Sequence, residues 1–509
     1  MISTNNSSCG LSRRDFLRMA AIAGLSPWQA ALAEHRGTLV NDVHSALNPT
    51  WVTEIHHVES LSDSVQAITR ARKSGQSLAI CGSRHAAGGQ QFLTDGVLLD
   101  TTQMNKILHL DQESALLTVQ SGTRWVDIEA SLNKIQLREP KPLGINQKQT
   151  GLNTLTIGGT LSANAHGHGL LLKPFVADVD SFKLINADGE LINCSRHENV
   201  DLFSAVIGGY GAFGFVPQVT LKLIHRQKVR RMVQMIPLQK LGQCVEQSIS
   251  KGFRYGHCQM NIDESSPGYL NEGIYSTYEP VDIDTPITGS EKQMTADGWT
   301  DLVSLVHSDK TKAYKDYVAF YQSTDGFINW SDVWQNSHYV NGYHQTLDRL
   351  SASKESATEV LSEFFVPIPQ LETFLSHARE YFLAHKQNII FSTIRFIEKD
   401  DETLLPWARE RYACIIFNFH TAHTPSAIEV TMLSGKFLID RAIDVKGSFY
   451  LTYQHLADKK QVLTCYPSFE NYLALKLKHD PNEVFQSDWY RWHKKMFAQE
   501  SSDCVPQKA

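Results

Sequence analysis

The spacing of apolar and polar residues over 34–225 predicts strands and helices in mixed order. Short apolar runs bounded by polar turns are typical of strands. Such runs occupy residues 97–100, 116–119 and 178–185. Apolar residues at helical spacing predict helices over 57–72, where Ser60 or Ser62 can cap the first turn, and over 125–132. This mixture indicates an α+β domain.

Beyond residue 226 the pattern changes to longer β-rich runs with amphipathic helices between them. A strand over 363–367 precedes a helix over 371–382, whereas the polar stretch 281–298 has no periodicity and is predicted to be a surface loop. Residues 472–490 begin as a helix that stops at Asp480, because the following proline disfavours the helical conformation there. The chain is therefore expected to contain a second, larger unit.

Three glycine-rich loops give the clearest chemical signal. In the first, residues 77–91, an apolar strand runs into a loop that carries Arg84-His85 just before a pair of glycines. Backbone N–H groups at the end of a strand can donate to a diphosphate, and glycine lets the backbone approach it closely. Residues 156–169 and 206–216 form the second and third loops. The first loop is predicted to be a phosphate cradle.

Together these loops resemble the FAD-binding segments of the vanillyl-alcohol-oxidase superfamily, and they are nearest to the cytokinin dehydrogenase and the alditol and aldonolactone oxidase branches. The resemblance covers residues 50–225. It implies an α+β fold with a two-subdomain PCMH-type FAD-binding domain and a mixed α/β substrate cap domain. It places these residues at the cofactor: Cys81, Gly82, Ser83, Arg84, His85, Ala86, Gly88, Gly89, Gln90, Thr156, Gly158, Gly159, Ser162, Asn164, His166, Gly214 and Val216.

Each histidine of these loops allows two interpretations. The resemblance implies a covalent bond from His85 to the 8α-methyl group of FAD, and the alternative is a hydrogen bond near the dimethylbenzene edge. His166 and His168 can reach the pyrimidine end of the ring or the substrate, or they can satisfy buried loop carbonyls.

Residues 391–407 resemble a cap segment of alditol and aldonolactone oxidases in which Glu-x-Arg faces the flavin. Arg395 matches the arginine, but Thr393 stands where the glutamate is expected. Threonine is not a general base, so the substrate proton must go elsewhere. Arg395 can stabilise an alkoxide or the reduced flavin anion, or it can form a surface salt bridge with Glu398 or Asp400.

Residues 449–457 alternate as a strand would, and this strand places Phe449, Leu451, Tyr453 and His455 on one face. The sugar-alcohol branch has a short His-Trp-Gly-Lys segment at this place, which is absent here. Tyr453 and His455 are therefore the candidates for the base, although core tyrosines and surface histidines are commoner than catalytic ones.

Length, composition and charge narrow the classes of function. A chain of 509 residues is too long for one core and predicts two domains. The formal net charge of -6 argues against a nucleic-acid groove, which needs a basic face. The 8 cysteines show neither CxxC pairs nor zinc spacing, so no metal site or disulfide framework is expected.

The N-terminus resembles a twin-arginine export signal over residues 1–33. Arg13-Arg14 precedes a short apolar run at 19–25, and Ala31-Leu32-Ala33 offers a small-residue cleavage site. The apolar run is too short to span a bilayer, so no stable membrane insertion is expected. The alternative is an exposed basic helix of a cytoplasmic protein. The first interpretation predicts a periplasmic or secreted protein.

The domain plan follows from these features. The FAD-binding domain is expected over 34–225, the substrate cap over 226–460, and a segment over 461–500 is expected to return to the FAD domain. The predicted function is that of an FAD-linked oxidase or dehydrogenase acting on a CH–OH group of a polyol, sugar, lactone or related molecule. Hydride passes to flavin N5, and oxygen or a periplasmic acceptor reoxidises the flavin.

Two other functions remain open from the sequence. The first is dehydrogenation of an amine or alkene, as in cytokinin dehydrogenases, which share the motif at His85. The second is a flavin-binding partner protein without catalysis, which the threonine at 393 favours.

Overall fold

A computed structural model describes residues 37–148, 151–289, 294–336, 342–350 and 353–498. The segment interpreted as an export signal, 1–33, lies outside the described residues. Helices and strands are mixed throughout, which confirms the α+β class. Among the described helices, none combines the length and the apolar character that a membrane span requires.

A small parallel sheet positions the first glycine loop. The first strands are β1 Thr38–Val40, β2 Thr50–Val52, β3 Glu54–His57, β4 Leu78–Cys81 and β5 Val97–Asp100. The sheet has the order β3-β5-β4. Helix α1 (Leu61–Ser74) connects β3 to β4, and it begins where the Ser60 hydroxyl accepts a hydrogen bond from the Asp63 N–H. The predicted cap at Ser60 is thus confirmed, and the glycine loop starts where β4 ends.

An antiparallel sheet follows, with the order β10-β9-β11-β7-β6. Its strands are β6 Ile107–Asp111, β7 Leu116–Gln120, β9 Val179–Ile185, β10 Leu191–Ser195 and β11 Phe215–Lys222. A short pair, β8 Leu143–Gly144 and β12 Ile224–His225, lies beside it. The helices of this part are α2 Trp125–Ile135, α3 Ile157–Ala163 and α4 Val200–Val206. The second glycine loop therefore folds around α3.

One large sheet forms the centre of the remaining chain. Its order is β16-β13-β15-β14-β18-β19-β17-β20, and all pairs are antiparallel. The strands are β13 Lys228–Pro237, β14 Tyr255–Met260, β15 Glu272–Val281, β16 Ile328–Trp330, β17 Ala357–Pro367, β18 Ile389–Ile397, β19 Tyr412–Ala422 and β20 Ser448–Phe449. We call this the cap sheet.

Helices cover both faces of the cap sheet. They are α5 Leu241–Ser250, α6 Ala296–Ser308, α7 Lys310–Ser323, α8 Tyr343–Leu350, α9 Leu371–His385 and α10 Pro425–Asp444. Helices α9 and α10 contact each other and β17. Helices α6 and α7 contact β18 and β13 on the other face, which looks toward the glycine loops. The site described below is enclosed on that face.

The C-terminal segment returns to the first sheet. Its helices are α11 Lys459–Cys465, α12 Phe469–His479 and α13 Asp488–Ala498. Helix α12 ends at His479 as predicted, and the buried Asp480 carboxylate accepts hydrogen bonds from the N–H groups of Val484 and Phe485 at 2.9 Å. The Leu78 N–H donates to the Val484 carbonyl, so this turn extends the edge at β4.

The prediction of a strand over residues 449–457 is wrong. Only Ser448–Phe449 pairs with β17, and the chain then turns. The Gln90 amide donates to the carbonyls of Leu451 and Tyr453, at 2.8 and 3.0 Å. These carbonyls therefore bind a side chain from the first glycine loop instead of a neighbouring strand.

Candidate functional site

A cavity of about 430 Å³ lies between the glycine loops and the cap sheet. Residues 82–86 and 210–216 and parts of 155–163 form the wall on the side of the first domain. The inward face of the cap sheet forms the floor, and α6 and α7 line the remaining side. The three glycine loops, distant in the sequence, thus meet at one site.

The first loop presents a row of backbone donors to the cavity. Within the described part of the chain, the N–H groups of Ser83, Arg84, His85 and Ala86 donate to no other protein group. Arg84 has a positive φ of 59°. A left-handed residue inside a loop turns neighbouring N–H groups toward one side and creates an anion-binding concavity. This donor set fits a diphosphate.

Glycines keep the loops close together and leave room in the cavity. A Cβ at Gly82 would lie 2.1 Å from Thr156 Oγ1, so the first and second loops touch there. A Cβ at Gly159 would meet only Thr156 Oγ1, at 3.2 Å, and one at Gly211 would meet nothing within 4 Å. Side chains at these two positions would extend into the cavity, so its glycine lining fits a large flat group.

His85 is held by hydrogen-bond contacts on both ring nitrogens. Nδ1 lies 3.0 Å from His44 Nε2, and Nε2 lies 3.0 Å from Thr154 Oγ1. Burial lowers the pKa of His85 to about 4, and burial together with the charge of His85 lowers the pKa of His44 to about 3. Both imidazoles are therefore neutral at neutral pH, and His85 lies in the cavity wall.

Most residues predicted at the site lie in the cavity wall. From the loops these are Gly82, Ser83, Arg84, His85, Ala86, Gln90, Thr156, Gly158, Gly159, Ser162, Gly214 and Val216. Arg395 and Tyr453 line it from the cap side, and so does His168. The structure thus brings together both sets of candidates.

Six predicted residues are not part of the cavity lining. They are Cys81, Gly88, Gly89, Asn164, His166 and His455. Asn164 ends α3 with φ 48° and donates to Asp400 at 2.9 Å, so its role is structural. His455 packs on Trp492 with a ring separation of 5.2 Å. The chain turns before His455, and this candidate base does not reach the cavity.

A different strand carries a carboxylate on the same face of the cap sheet as residue 393. Thr393 and Glu363 both lie opposite Ile416, on β18 and β17 either side of β19. Directly opposed side chains share a face, so Glu363 lies on the floor side, about two strand spacings or roughly 10 Å from position 393. The Thr393 hydroxyl donates to the Cys258 carbonyl at 3.2 Å. Thr393 is therefore a packing residue.

Glu363 is the centre of a buried polar cluster. Its Oε2 accepts a hydrogen bond from the Tyr453 hydroxyl at 3.1 Å, and its Oε1 lies 2.6 Å from His166 Nε2. Burial and then the Glu363 charge raise the pKa of Tyr453 well above its usual value, and the Arg395 charge opposes this shift only in part. Tyr453 is thus a neutral hydroxyl. It cannot act as a standing base, although it lines the cavity and contacts a carboxylate.

The cap side of the cavity also carries buried polar atoms that have no hydrogen-bond partner among the described residues. They are Arg231 Nε, His257 Nδ1, Gln259 Oε1, Trp299 Nε1, Tyr314 Oη, Trp334 Nε1 and Asn418 Oδ1. A buried polar group without a partner costs about 1–3 kcal/mol. Both donors and acceptors occur in this set, so the wall fits a ligand with several hydroxyl groups.

Sequence reasoning missed Glu363, Arg231 and His257. Glu363 lies in an apolar strand pattern, and nothing around it in the sequence distinguishes it from an exposed carboxylate. Alternation along β14 could have placed His257 on the same face of the strand as Gln259. The pairing of strands, which local patterns do not reveal, was needed to bring it opposite Arg395.

The prediction that the chain has no metal site stays a prediction. Two groups of side chains among the described residues have ligand atoms within 4.8 Å of one another. They are His166, Glu363 and Cys414, and His307, Glu359 and His420. In the second group His420 Nδ1 lies 3.3 Å from Glu359 Oε1.

Comparison with known proteins identifies the cofactor part. The family model described as an FAD binding domain matches residues 54–195. An uncharacterized oxidoreductase of the fasciation locus of Rhodococcoides fascians is 33% identical over 167 residues, which is 32% of this chain and 36% of that protein. Cytokinin dehydrogenase 2 of Arabidopsis thaliana is 30% identical over 165 residues, 32% of this chain and 31% of that protein.

A third similar protein has a lactone substrate in its name. L-gulonolactone oxidase of Mus musculus is 27% identical over 177 residues, 35% of this chain and 36% of that protein. The chain matches only about a third of the length of each of these relatives. These similarities and the glycine-loop cavity together identify FAD as the cofactor.

Proposed function

We propose that the chain, whose residues 54–195 match an FAD binding domain, is a flavoprotein of the vanillyl-alcohol-oxidase superfamily that oxidises a CH–OH group of a polyol, sugar, lactone or related molecule to a carbonyl. The observation that carries the proposal is the hydrogen bond from Tyr453, which lines the cavity with Arg395, to the carboxylate of Glu363, which is fully buried behind that wall. Bound FAD would supply the acceptor for the hydride. The remaining steps depend on side chains of the chain.

The residues that would hold the cofactor are those of the cavity wall. The N–H groups of 83–86 would bind its diphosphate, and the glycines at 159 and 211 leave space for its ring. We also propose that His85 forms a covalent bond to FAD and that residues 34–225 fold as a two-subdomain PCMH-type domain. The neutral imidazole of His85 in the wall supports the first of these.

The proton of the substrate hydroxyl would leave through a two-residue relay. Tyr453 Oη accepts this proton while its own proton passes to Glu363 Oε2, and the C–O bond becomes a carbonyl as hydride leaves carbon. Burial and the Glu363 charge raise the pKa of Tyr453 well above its usual value, so the tyrosine passes its own proton on instead of holding a negative charge. Arg395 stabilises the negative charge that develops on the substrate oxygen.

The charge of the site favours an alcohol over an amine. Two guanidinium groups, Arg231 and Arg395, line the cavity and would repel a protonated amine, whereas burial raises the pKa of Glu359, the carboxyl group in the same lining, and weakens its attraction for a cation. The buried polar atoms of the wall match hydroxyl groups. An aromatic or alkenyl amine of the kind that cytokinin dehydrogenases oxidise would leave most of them without a partner.

The test is product analysis with a labelled alcohol. Substrates that reduce the enzyme are prepared with deuterium at the carbinol carbon, and the product is identified by mass spectrometry. We expect loss of one deuterium, gain of a carbonyl and a primary isotope effect on flavin reduction. Oxidation at a carbon that carries no deuterium, or oxidation at nitrogen, would contradict the proposal.

We also propose twin-arginine export and reoxidation by oxygen or a periplasmic acceptor. The support for export is the sequence of residues 1–33 alone. Replacing Arg13 and Arg14 by lysine should retain the protein in the cytoplasm, because the export receptor reads the arginine pair and not only its charge. Normal export of that variant, measured by cell fractionation, would exclude the signal.

A further inference from the structure

Arg231 is a buried cation without an acidic partner among the described residues. Its side chain lies on β13, is 5% exposed and lines the cavity. Nη2 reaches Ser276 Oγ at 3.4 Å, and the buried Nε has no hydrogen-bond partner. By contrast, Arg226 on the same side of the fold is held by Asp332 through two hydrogen bonds of 2.6 and 2.9 Å.

Aromatic rings surround the Arg231 guanidinium. Its central carbon lies 4.3 Å from the ring centre of Tyr321 and 5.1 Å from that of Trp334. Tyr278 lies directly opposite Arg231 on β15. Cation–π contacts stabilise a buried guanidinium, but by less than the burial of an ion costs. Burial lowers the pKa of Arg231, but Tyr278 and Tyr321 outweigh this effect and the pKa is raised overall, so the guanidinium stays charged with no carboxylate of the described residues paired to it.

The position of Arg231 connects it to the reacting end of the cavity. Arg231 and Arg395 are separated by three strand spacings across the sheet and by two residues along it, roughly 16 Å in total. His257 on β14 is directly opposite Arg395 in the register that Cys258 and Ile394 define. The floor thus has one guanidinium at the reacting end and a second at the far end, with His257 between them.

We propose that the substrate carries a carboxylate and that Arg231 binds it. This inference rests on the proposed function, which it deepens by naming the substrate class as an extended hydroxy acid. A carboxylate would accept hydrogen bonds from the guanidinium and neutralise the charge. A single guanidinium matches one negative charge, which favours a carboxylate over a phosphate dianion.

The experiment compares acids with neutral compounds of the same carbon skeleton. Dissociation constants of gluconate and sorbitol, and of lactobionate and lactitol, are measured by calorimetry on the FAD-loaded protein. At least one acid should bind about tenfold or more tightly than its neutral counterpart, since hydrogen bonds to charged groups contribute strongly in a buried site. Equal affinity within both pairs would overturn the proposal. Tighter binding of sorbitol 6-phosphate than of the acids would overturn the choice of a carboxylate.

Variants of neighbouring residues provide the control. Arg231→Gln should abolish the preference for the acid, and Arg231→Lys should keep part of it because the charge remains but the planar fork is lost. Arg230→Gln should keep the full preference, because Arg230 pairs with Glu279 on the opposite face of the strand. A preference that survives in Arg231→Gln would contradict the assignment.

Two readouts distinguish a binding role of Arg231 from a purely structural one. If Arg231 were only structural, Arg231→Gln would lower the melting temperature, whereas removing an uncompensated buried charge should leave it unchanged or raise it. Flavin absorbance is recorded on the same samples. If neutral polyols reduce the flavin equally fast in the wild type and in Arg231→Gln, and acids gain nothing from Arg231, the inference is wrong and the proposed function stands. If acids bind selectively but no compound reduces the flavin, the inference about Arg231 stands and the proposed function is wrong.

Discussion

A hydrogen bond of 3.1 Å joins the Tyr453 hydroxyl to Glu363 Oε2, and substitutions at either residue test the proposed proton relay. Tyr453→Phe removes the hydroxyl that donates to Glu363 and that accepts the substrate proton in the proposed relay. Glu363→Gln keeps the shape but removes the proton acceptor. General acid–base catalysis contributes about 10²–10⁴-fold in rate. Each variant should therefore slow flavin reduction by that order.

The double variant distinguishes a relay from two separate contributions. Residues that act as a unit are not additive. Tyr453→Phe with Glu363→Gln should therefore be about as slow as either single variant. Independent roles would multiply the losses, to about 10⁴-fold or more.

The assay is stopped-flow reduction under anaerobic conditions, at saturating substrate. Both FAD content and the melting temperature are measured for each variant, because Tyr453→Phe leaves a buried carboxylate oxygen without its hydroxyl donor and should cost about 1–3 kcal/mol of stability. Thr393→Val is the matched control and should change the rate little. Unchanged reduction in Tyr453→Phe, or multiplicative losses in the double variant, would refute the relay.

Three further predictions test other parts of the fold. Asp480→Ala should lower the free energy of unfolding by about 3–5 kcal/mol in urea titrations, because it leaves buried Lys476 without its partner; a loss below about 1 kcal/mol would argue against that pair. Burial lowers the pKa of His455 to about 4 and that of His493 to about 3, so the unfolded chain binds protons first on acidification. Stability should be complete above about pH 6.5 and should fall by about 3 kcal/mol for each histidine on reaching pH 4, and a flat urea midpoint over that range would contradict these shifts. Flavin should stay with the acid-precipitated wild-type protein and leave with the supernatant in His85→Ala, and complete release from the wild type would exclude the covalent bond.

Local signals in the sequence predicted the elements that carry the cofactor loops. The cap of α1 at Ser60 and the end of α12 before Pro481 depend on residues within a few positions of each other. The glycine loops could be assigned in order for the same reason, because each contains its own turn residues and follows its own strand. These features need no knowledge of how distant strands pair.

Contacts between distant segments could not be predicted in this way. Glu363 meets His166 across 197 positions and Tyr453 across 90 positions. The strand pattern at 449–457 was misleading because Gln90, 361 positions before Leu451, occupies the backbone acceptors that strand pairing would use. The sequence around Arg231 likewise does not show that the cap sheet places this residue beside aromatic rings in the cavity. Tertiary pairing therefore decided the chemistry of the cap side.

Whether this chain oxidises alcohols with FAD, as we propose, is decided by anaerobic reduction of the flavin. The FAD-loaded protein is mixed with a panel of polyols, sugars, aldonolactones and hydroxy acids, and the visible flavin absorbance is followed. At least one alcohol should bleach the flavin, and Tyr453→Phe should slow this bleaching by about 10²-fold or more with unchanged FAD content. If dithionite and an amine reduce the flavin while every alcohol leaves it oxidised, the chain is not an alcohol-oxidising enzyme.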